Sequence, residues 1–255
     1  KSAGTKAIWQ GGEKHDPIGI SFSSLTNYSE SFNQDFVRVV SCNTTGLSRT
    51  LYPVLKKYGI DNVQAVMVRR SGDPKDSDRG PINSIEPVLG VPSHHGPDVQ
   101  TVISNLNIQT MAVKVPTTIM HVHCIIAQLE KEPNVEKIIQ LWEDTPRVNL
   151  IDGYLKNDDS KISNLPGTAE IMELARDSLY TRGDLNQIAV WRDGVHAFGN
   201  KLYYYQAIHQ ESDVVPENID AIRAMCGLEE DNMKSISGLI GQGYLQPVYN
   251  ASKGA

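Results

Sequence analysis

The chain of 255 residues contains no apolar run of the roughly 18 residues that a membrane-spanning helix requires, which argues against a membrane partner. It also has no basic excess: 24 lysines and arginines face 30 acidic residues, and the net charge of −6 disfavours a nucleic-acid partner. The three cysteines are too few for a disulfide framework and suit a reducing cytoplasm. The 40% of apolar residues suffice for one large domain or two modest ones.

Strand patterns outnumber helix patterns along the chain. Apolar and β-branched runs predict strands at 4–9, 36–40, 63–70, 108–115, 121–129, 188–192, 195–198 and 201–209. Apolar residues at helical spacing predict helices at 45–58, 135–143, 168–180 and 219–225. Asp193-Gly194, a preferred two-residue turn, predicts a hairpin between two of these strands. Long strands joined by hairpins predict an α+β fold with a mainly antiparallel sheet and helices on one face.

Cys42 stands where a predicted strand ends and a predicted helix begins, among serine, asparagine and threonine. The unpaired N–H groups and partial positive charge of a helix N-terminus favour the thiolate, which is the nucleophilic form of cysteine. This position predicts a reactive cysteine, with a buried structural cysteine as the alternative. Cys124 and Cys226 lie among apolar neighbours in a predicted strand and a predicted helix, and both are interpreted as core residues.

Histidines that could assist such a thiol occur in two pairs. His94 and His95 are adjacent in a predicted loop, and His121 and His123 share one face of a predicted strand. A nucleophilic cysteine needs a base and charge-stabilising groups, which imidazoles can supply. Two alternatives stay open. The histidines could simply be packed and hydrogen-bonded, or the second pair could bind a metal, although no further thiolate or carboxylate ligands stand at zinc spacing.

Arg69 and Arg70 end an otherwise apolar strand, so their guanidinium groups are expected at an edge or mouth of the sheet. Paired arginines suit phosphate because of their planar fork geometry, but a solvated strand end is the alternative. The sequence has no P-loop motif. The GQG stretch at 241–243 lacks both the preceding strand and the third glycine of the dinucleotide-binding fingerprint.

Several blocks of sequence together resemble the archaeal-type, class II glyceraldehyde-3-phosphate dehydrogenases. The blocks follow the family's order and are 9–15 (WQGGEKH), 41–46 (SCNTTG), 68–70 (VRR), 92–99 (PSHHGPDV), 115–121 (VPTTIMH) and 210–218 (QESDVVPEN). The resemblance implies oxidation of glyceraldehyde 3-phosphate through a cysteine thiohemiacetal and thioester, with NAD or NADP as the hydride acceptor. It further implies that inorganic phosphate releases the product as 1,3-bisphosphoglycerate, a reaction of glycolysis and gluconeogenesis.

The resemblance also assigns roles to individual residues. It implies that Cys42 is the nucleophile and that His121 takes its proton and hydrogen-bonds the developing oxyanion. The implied substrate-binding residues are Ser41, Asn43, Thr44, Arg69, His94, His95 and Gly96. The implied cofactor-binding residues are Gly12, Arg70, Gln210 and Asn218. No metal is implied, and the sequence leaves open which basic residues hold the substrate phosphate and which hold inorganic phosphate.

The family's fold implies three parts of the chain: a remnant of a Rossmann cofactor domain at 1–40, a catalytic domain at 41–215, and a C-terminal helical segment at 216–255 that packs back on the cofactor domain. The family's glycine-rich pyrophosphate turn is not found, so we expect that most of one Rossmann half precedes residue 1 and that the chain binds NAD(P) weakly or not at all. The stretch 149–166 is expected to be a surface insertion. A homotetramer is implied, with exposed sheet faces between subunits and Tyr203–Tyr205 as possible contacts.

Two other hypotheses compete with this one. Another Cys/His aldehyde dehydrogenase, such as an aspartate-semialdehyde dehydrogenase, would need a clamp for a substrate carboxylate, and the blocks quoted above match it poorly. A truncated, non-catalytic relative that serves in assembly or binding is consistent with the missing glycine turn. The presence of both Cys42 and His121 argues against it.

Overall fold

The computed structural model of the chain describes residues 4–10, 12–71, 83–117, 120–151, 155–156, 162–163, 187–210 and 212–240. The predicted helix at 168–180, most of the predicted insertion at 149–166 and the GQG stretch at 241–243 lie outside these residues. None of the helices within the described residues is both long enough and apolar enough to cross a membrane.

The described residues form thirteen strands and six α-helices. The strands are β1 (Ala7–Gln10), β2 (Ser21–Phe22), β3 (Phe36–Val39), β4 (Ile60–Arg70), β5 (Glu86–Val88), β6 (Ile108–Val115), β7 (His121–Leu129), β8 (Val148–Ile151), β9 (Leu155–Lys156), β10 (Ile162–Ser163), β11 (Ile188–Trp191), β12 (His196–Phe198) and β13 (Lys201–Ile208). The helices are α1 (His15–Ile18), α2 (Cys42–Tyr58), α3 (His95–Gln100), α4 (Val135–Glu143), α5 (Val215–Met225) and α6 (Asn232–Ile240).

The large sheet has eight strands, in the order β5-β6-β4-β7-β13-β11-β8 with β12 also paired to β13. The pairs β4–β6 and β8–β11 are parallel, and the other pairs of this sheet are antiparallel. Helix α2 contacts β7, β11 and β13, while α3 contacts β6 and α4 contacts β8. The predicted α+β fold, with a mainly antiparallel sheet and helices on one face, is confirmed.

Helix α2 begins at Cys42, three residues before the predicted range of 45–58. Its N-cap is Ser41, whose hydroxyl accepts a hydrogen bond from the backbone N–H of Thr44 at 3.4 Å. The first turn is polar and therefore contributes nothing to the apolar spacing from which a helix is predicted. The helix ends at Gly59, where φ is +70° and glycine avoids the steric cost of a side chain.

The predicted hairpin at Asp193-Gly194 is wrong, because β11 and β12 each pair with β13 and not with one another. Residues Arg192–Gly194 form a single 3₁₀ turn that carries the chain onward without reversing it. Both strands therefore run in the same direction along one edge of β13, with Val190 opposite Gln206. The reversal comes at the next turn, which starts at Gly199 with φ +54° and leads into β13 as predicted.

A second sheet of three parallel strands, in the order β1-β3-β2, lies outside the large one. Helix α5 packs on it through a separate apolar cluster that includes Phe22, Val39, Ala221 and Met225. Parallel strands covered by a helix are typical of doubly wound domains. The C-terminal helix α5 thus packs against the N-terminal strands.

A buried ionic network connects these two parts of the chain. Glu217 on α5 accepts from Arg49 Nη2 on α2 at 2.8 Å and from the backbone N–H and hydroxyl of Ser24, each at 2.7 Å. Arg147, just before β8, lies 2.7 Å from Asp220, also on α5. All five side chains are buried, so removing one charge leaves its partner unpaired in a low-dielectric interior.

We expect Glu217→Gln to destabilise the folded chain by about 3–5 kcal/mol, because Arg49 and Arg147 would lose their shared counter-charge. Urea denaturation measures this free energy of unfolding. The matched control is Glu143→Gln, which removes an exposed ion pair with Arg192 and should cost less than about 1 kcal/mol. Equal losses in the two variants would contradict the role assigned to the buried network.

The same network predicts an acid limit to stability. Burial raises the pKa of Glu217, but Arg49 and Arg147 outweigh it and hold the pKa below its usual value. A carboxyl whose pKa is depressed by folding contributes stability above its unfolded pKa, and that contribution is lost as pH falls through the folded pKa. The Glu217→Gln variant should therefore show less loss of stability between neutral and acid pH than the unaltered chain.

Candidate active site

A cavity of about 430 Å³ opens between the small parallel sheet and the start of α2. Gln10 at the end of β1 and Ser41 just after β3 both line it, so it lies at the carboxyl ends of parallel strands, where doubly wound folds bind ligands. The predicted site residues that line the cavity are Gly12, Ser41, Cys42, Asn43, Arg69, His94 and Gln210. Those that lie outside its lining are Thr44, Arg70, His95, Gly96, His121 and Asn218.

Cys42 is the first residue of α2, as its predicted position at the start of a helix requires, and it is only 7% exposed. The amide nitrogen of Asn43 donates to the Cys42 sulfur at 3.6 Å. Burial, and then the charge of Asp213, raises the pKa of the Cys42 thiol, against smaller opposing effects from the Asn43 backbone and from Arg69 and Arg70. The expectation that the helix start holds this thiol ionised is therefore wrong for this structure, because burial outweighs the helix N-terminus.

His121 lies behind the cavity wall and is connected to it through Gln210. Its Nδ1 accepts from the backbone N–H of Arg70 at 3.1 Å, so the proton of the neutral ring is on Nε2, which donates to Gln210 Oε1 at 3.0 Å. Burial, then Arg69 and Arg70, lowers the pKa of His121 to about 3. The ring is neutral at pH 7 and presents an N–H donor toward the cavity side.

This tautomer separates the two roles predicted for His121. A donor at Nε2 suits the stabilisation of a negatively charged oxygen. The predicted acceptance of the Cys42 proton needs a free ring lone pair, and the only lone pair is already bonded to the Arg70 N–H. In this geometry the ring nitrogen that would accept the proton is occupied, whereas Nε2 carries the N–H that the predicted donor role requires.

Next to the cavity, two side chains carry polar atoms without partners. The His94 and His95 rings stack with centroids 3.9 Å apart, and Ser93 Oγ lies 3.0 Å from His95 Nδ1. Within the part of the chain that the structure describes, His95 Nε2 and Arg69 Nε are buried and have no hydrogen-bond partner. Burial, His94 and Arg69 lower the pKa of His95 to about 3, so this ring is also neutral. Such unpartnered atoms suit a polar, anionic ligand.

Three other predicted residues hold the site together rather than line it. Thr44 donates its hydroxyl to Asp98, and the Gly96 N–H donates to Thr110 Oγ1 at 3.0 Å. Asn218 on α5 donates its side-chain amide to the Val214 carbonyl at 2.9 Å, one turn earlier in its own helix. Asn218 does not line the cavity, so its predicted contact with a nicotinamide finds no support there. Its hydrogen-bond partner Val214 does line the cavity.

Sequence reasoning missed an ion pair at the cavity wall. Arg38 on β3 lies 2.6 Å from Asp98 on α3, and both side chains line the cavity. Asp98 also accepts from the Ser41 hydroxyl at 3.2 Å, so it joins β3, α2 and α3 at one point. The sequence could have indicated Asp98, because it belongs to the His-His-Gly-Pro-Asp block. Arg38 lies in an apolar strand, and no sequence pattern marks it as a site residue. Across the described residues, no cluster of three metal-ligating side chains is found.

The fold and the site together define a catalytic α+β domain that presents a cysteine thiol beside neutral histidines and an arginine. Residues 41–194, more than half of the chain, match the family model described as "Glyceraldehyde 3-phosphate dehydrogenase, C-terminal domain". The chain belongs to the glyceraldehyde-3-phosphate dehydrogenase family and is therefore an oxidoreductase of the family that uses a nicotinamide dinucleotide.

Curated relatives from archaea agree with this assignment. The chain is 54% identical over 238 residues to a glyceraldehyde-3-phosphate dehydrogenase of Methanothermus fervidus, a match that covers 93% of the chain and 68% of the relative. It is 50% identical to the enzyme of the same name from Methanobrevibacter smithii, with the same coverage. A third, from Picrophilus torridus, is 48% identical over 91% of the chain and 65% of its own length.

Proposed function

We propose that the chain carries the catalytic half of a phosphorylating glyceraldehyde-3-phosphate dehydrogenase, with Cys42 as the nucleophile. The observation that carries this proposal is the position of Cys42 on the wall of a cavity that is also lined by Arg69, whose Nε has no hydrogen-bond partner among the described residues. Thiol chemistry needs a sulfur within reach of substrate, and a phosphorylated aldehyde needs a cation nearby. Both conditions are met in one place.

The Cys42 S–H proton passes to water in the cavity, and the thiolate then attacks the aldehyde carbon, forming a C–S bond while the carbonyl electron pair moves to oxygen. His121 Nε2–H then donates to this oxygen in place of Gln210 Oε1. A bound nicotinamide supplies the hydride acceptor for the oxidation that converts the adduct to a thioester. An oxygen of inorganic phosphate attacks the thioester carbon, and the Cys42 sulfur leaves as thiolate.

The residues around the cavity fit the nicotinamide end of a dinucleotide. Gln10 ends β1 and Gly12 follows it, and both line the same cavity as Cys42. Gln210 lines the cavity as well and accepts from Arg70 Nε at 3.1 Å, which places Arg70 just behind the wall. We propose Gly12, Gln210 and Arg70 as the residues of this chain that contact the cofactor, which is either NAD or NADP.

Arg69 is proposed to bind a phosphate group of the substrate or inorganic phosphate, with His94, His95 and Thr44 nearby. Arg69→Gln removes the charge, and we expect the KM of one of the two phosphates to rise about 10–100-fold, the effect of losing one charge-assisted hydrogen bond. Steady-state kinetics with each phosphate varied in turn identifies which one Arg69 holds. The control is Arg192→Gln, an exposed arginine outside the cavity lining. Unchanged KM values for both phosphates would refute the assignment.

We propose a homotetramer in which the outer face of the large sheet is buried between subunits. Met111, Val66, Cys124 and Tyr205 are register partners on β6, β4, β7 and β13, so they form one row across that face. Met111 is 55% exposed and Tyr205 49% exposed, which leaves an apolar row open to solvent in the single chain. Sedimentation equilibrium tests this directly, and a 28.2 kDa monomer at high protein concentration would count against it.

The proposed activity is tested by following NAD and NADP reduction with glyceraldehyde 3-phosphate, with and without inorganic phosphate. Phosphate-dependent reduction supports the phosphorylating dehydrogenase. An equal rate of NAD or NADP reduction with and without phosphate would favour another aldehyde dehydrogenase. The absence of reduction at saturating cofactor would favour a non-catalytic relative. A cytoplasmic location is proposed as well, since Cys42 must stay a free thiol to react.

A further inference from the structure

A chain of buried hydrogen bonds leads from the large sheet to the Cys42 sulfur, and the steps proposed above do not use it. His123 Nδ1 lies 3.0 Å from the Gln206 amide nitrogen, and His123 Nε2 lies 2.8 Å from Asn43 Oδ1. The other end of the Asn43 amide donates to Cys42 Sγ at 3.6 Å. We call these four residues, Gln206, His123, Asn43 and Cys42, the sulfur relay.

The partners at the far end fix the direction of the sulfur relay. The Thr50 hydroxyl donates to Gln206 Oε1 at 2.7 Å, so the amide nitrogen of Gln206 faces His123 and donates to its Nδ1. The proton of the neutral His123 ring is therefore on Nε2, which donates to Asn43 Oδ1. This leaves the Asn43 N–H groups facing the sulfur. Every donor in the sulfur relay points toward Cys42.

Burial isolates the sheet end of the sulfur relay from solvent. His123, Gln206 and Thr50 have no exposed surface, and Asn43 is 3% exposed. Burial first, then the nearby His121, His95 and Arg69 side chains, lowers the pKa of His123 well below its usual value, so the ring stays neutral and keeps one proton. Because water cannot compete for His123 and Gln206, their hydrogen bonds hold the Asn43 oxygen in place, which turns the Asn43 N–H groups toward the sulfur.

Gly46 allows the helix and the sheet to come close enough for these contacts. A Cβ atom on Gly46 would stand 2.7 Å from Ile208 Cγ1 and 3.1 Å from the Gln206 amide nitrogen. Any larger residue at this position of α2 would push the helix away from β13. The short distance between α2 and the sheet is therefore a property of this sequence that the sulfur relay uses.

We propose that His123 is a positioning residue for the reaction: together with Gln206 it holds the Asn43 amide so that its N–H donates to the Cys42 thiolate. The proposal rests on Cys42 being the nucleophile. The relay acts within a charged surrounding in which Asp213 disfavours the thiolate while Arg69 and Arg70 favour it. Burial and Asp213 oppose ionisation of the Cys42 thiol. A hydrogen-bond donor directed at the sulfur stabilises the thiolate and so acts against these two effects.

The test reads the ionisation of Cys42 itself and needs neither substrate nor cofactor. The rate of Cys42 alkylation by iodoacetamide is measured against pH, with peptide mapping to separate Cys42 from Cys124 and Cys226. In His123→Leu we expect the midpoint to rise by about one pH unit, which slows alkylation at lower pH about tenfold. His123→Gln keeps one acceptor and one N–H donor, so it should restore most of the rate.

Two comparisons separate positioning from a purely structural role. In a double-mutant cycle, His123→Leu should have no further effect on the midpoint once Asn43→Ala has removed the donor. Tyr204→Phe is the matched control, because it removes a buried hydroxyl that lies 3.0 Å from Thr50 and leaves the sulfur relay in place. We expect it to leave the alkylation midpoint unchanged.

The thermal midpoint of each variant is recorded alongside, and Gln206→Met replaces His123→Leu if the latter does not fold. Additive shifts in the cycle, or a lower thermal midpoint with an unchanged alkylation midpoint, would overturn the proposal. If Cys42→Ser kept full dehydrogenase activity, the proposed function would fail. The alkylation data would still report on the sulfur relay, so the two failures are distinguishable.

Discussion

Replacing Cys42 with serine should lower phosphate-dependent oxidation of glyceraldehyde 3-phosphate by at least about a thousandfold, the size of loss expected when a covalent nucleophile is removed. A serine hydroxyl ionises far less readily than a thiol, and His121 is not free to activate it as a base, since both of its ring nitrogens are bonded. The loss should appear in kcat, because the remaining cavity still binds substrate. Steady-state kinetics under saturating phosphate measures it.

The chain contains two matched controls for this variant. Cys226 directly follows helix α5 and is exposed, so its interpretation as a core residue is wrong, and Cys124 is only half-buried on the outer face of the sheet. Cys226→Ser and Cys124→Ser make the same chemical change away from the cavity and should retain close to full activity. An active Cys42→Ser enzyme, or one no less active than these controls, would remove the covalent mechanism.

Replacing His121 with asparagine should lower kcat by about 10²–10³-fold, because it removes the Nε2–H that is proposed to donate to the thiohemiacetal oxygen. Asparagine is short: its side-chain oxygen can still accept from the Arg70 N–H, so the supporting contact is kept. His121→Gln places an amide N–H nearer to the Nε2 position and should recover part of the rate. The KM for the aldehyde should change little in either variant, since the contact forms mainly in the transition state.

The pH profile distinguishes a donor role for a permanently neutral ring from a base with an ordinary imidazole pKa. The pKa of His121 is lowered to about 3, so the ring stays neutral from there upward, and its ionisation should not limit kcat between pH 5 and 8. A base with an ordinary imidazole pKa would instead give an acid limb near pH 6.5. An acid limb near that pH that disappears in His121→Asn would contradict the donor role.

The sequence predicted the elements whose residues repeat with a clear period. The strands at 108–115 and 121–129 and the helix at 135–143 have the predicted bounds, because alternating or helical apolar spacing runs through each one. The start of α2 was placed too late because its first turn is polar, and the capping role of Ser41 is not an apolar signal. The hairpin at Asp193-Gly194 failed for a different reason. A turn sequence shows only that the chain can bend at that point. It does not show which strands pair, and both β11 and β12 pair with β13.

Some features of the site also follow from local sequence, whereas others depend on how distant segments pack. The position of Cys42 at a helix start follows from the local sequence and is confirmed by the structure. The burial that raises its pKa, and the charge of Asp213 beside it, depend on how distant segments pack and could not be predicted from the sequence. The pairing of His123 with Gln206 depends on the register between β7 and β13. The same-face placement of His121 and His123 was predicted, but not their different partners.

The most direct test of Cys42 as the nucleophile is mass spectrometry after brief exposure to p-nitrophenyl acetate, an acyl donor that requires no cofactor. Attack by the Cys42 sulfur releases p-nitrophenolate and leaves an acetyl thioester. The account predicts a single acetyl group on the peptide that contains Cys42, removed by added inorganic phosphate as acetyl phosphate. Acetyl groups scattered over lysines, with the Cys42 peptide unmodified, would contradict it.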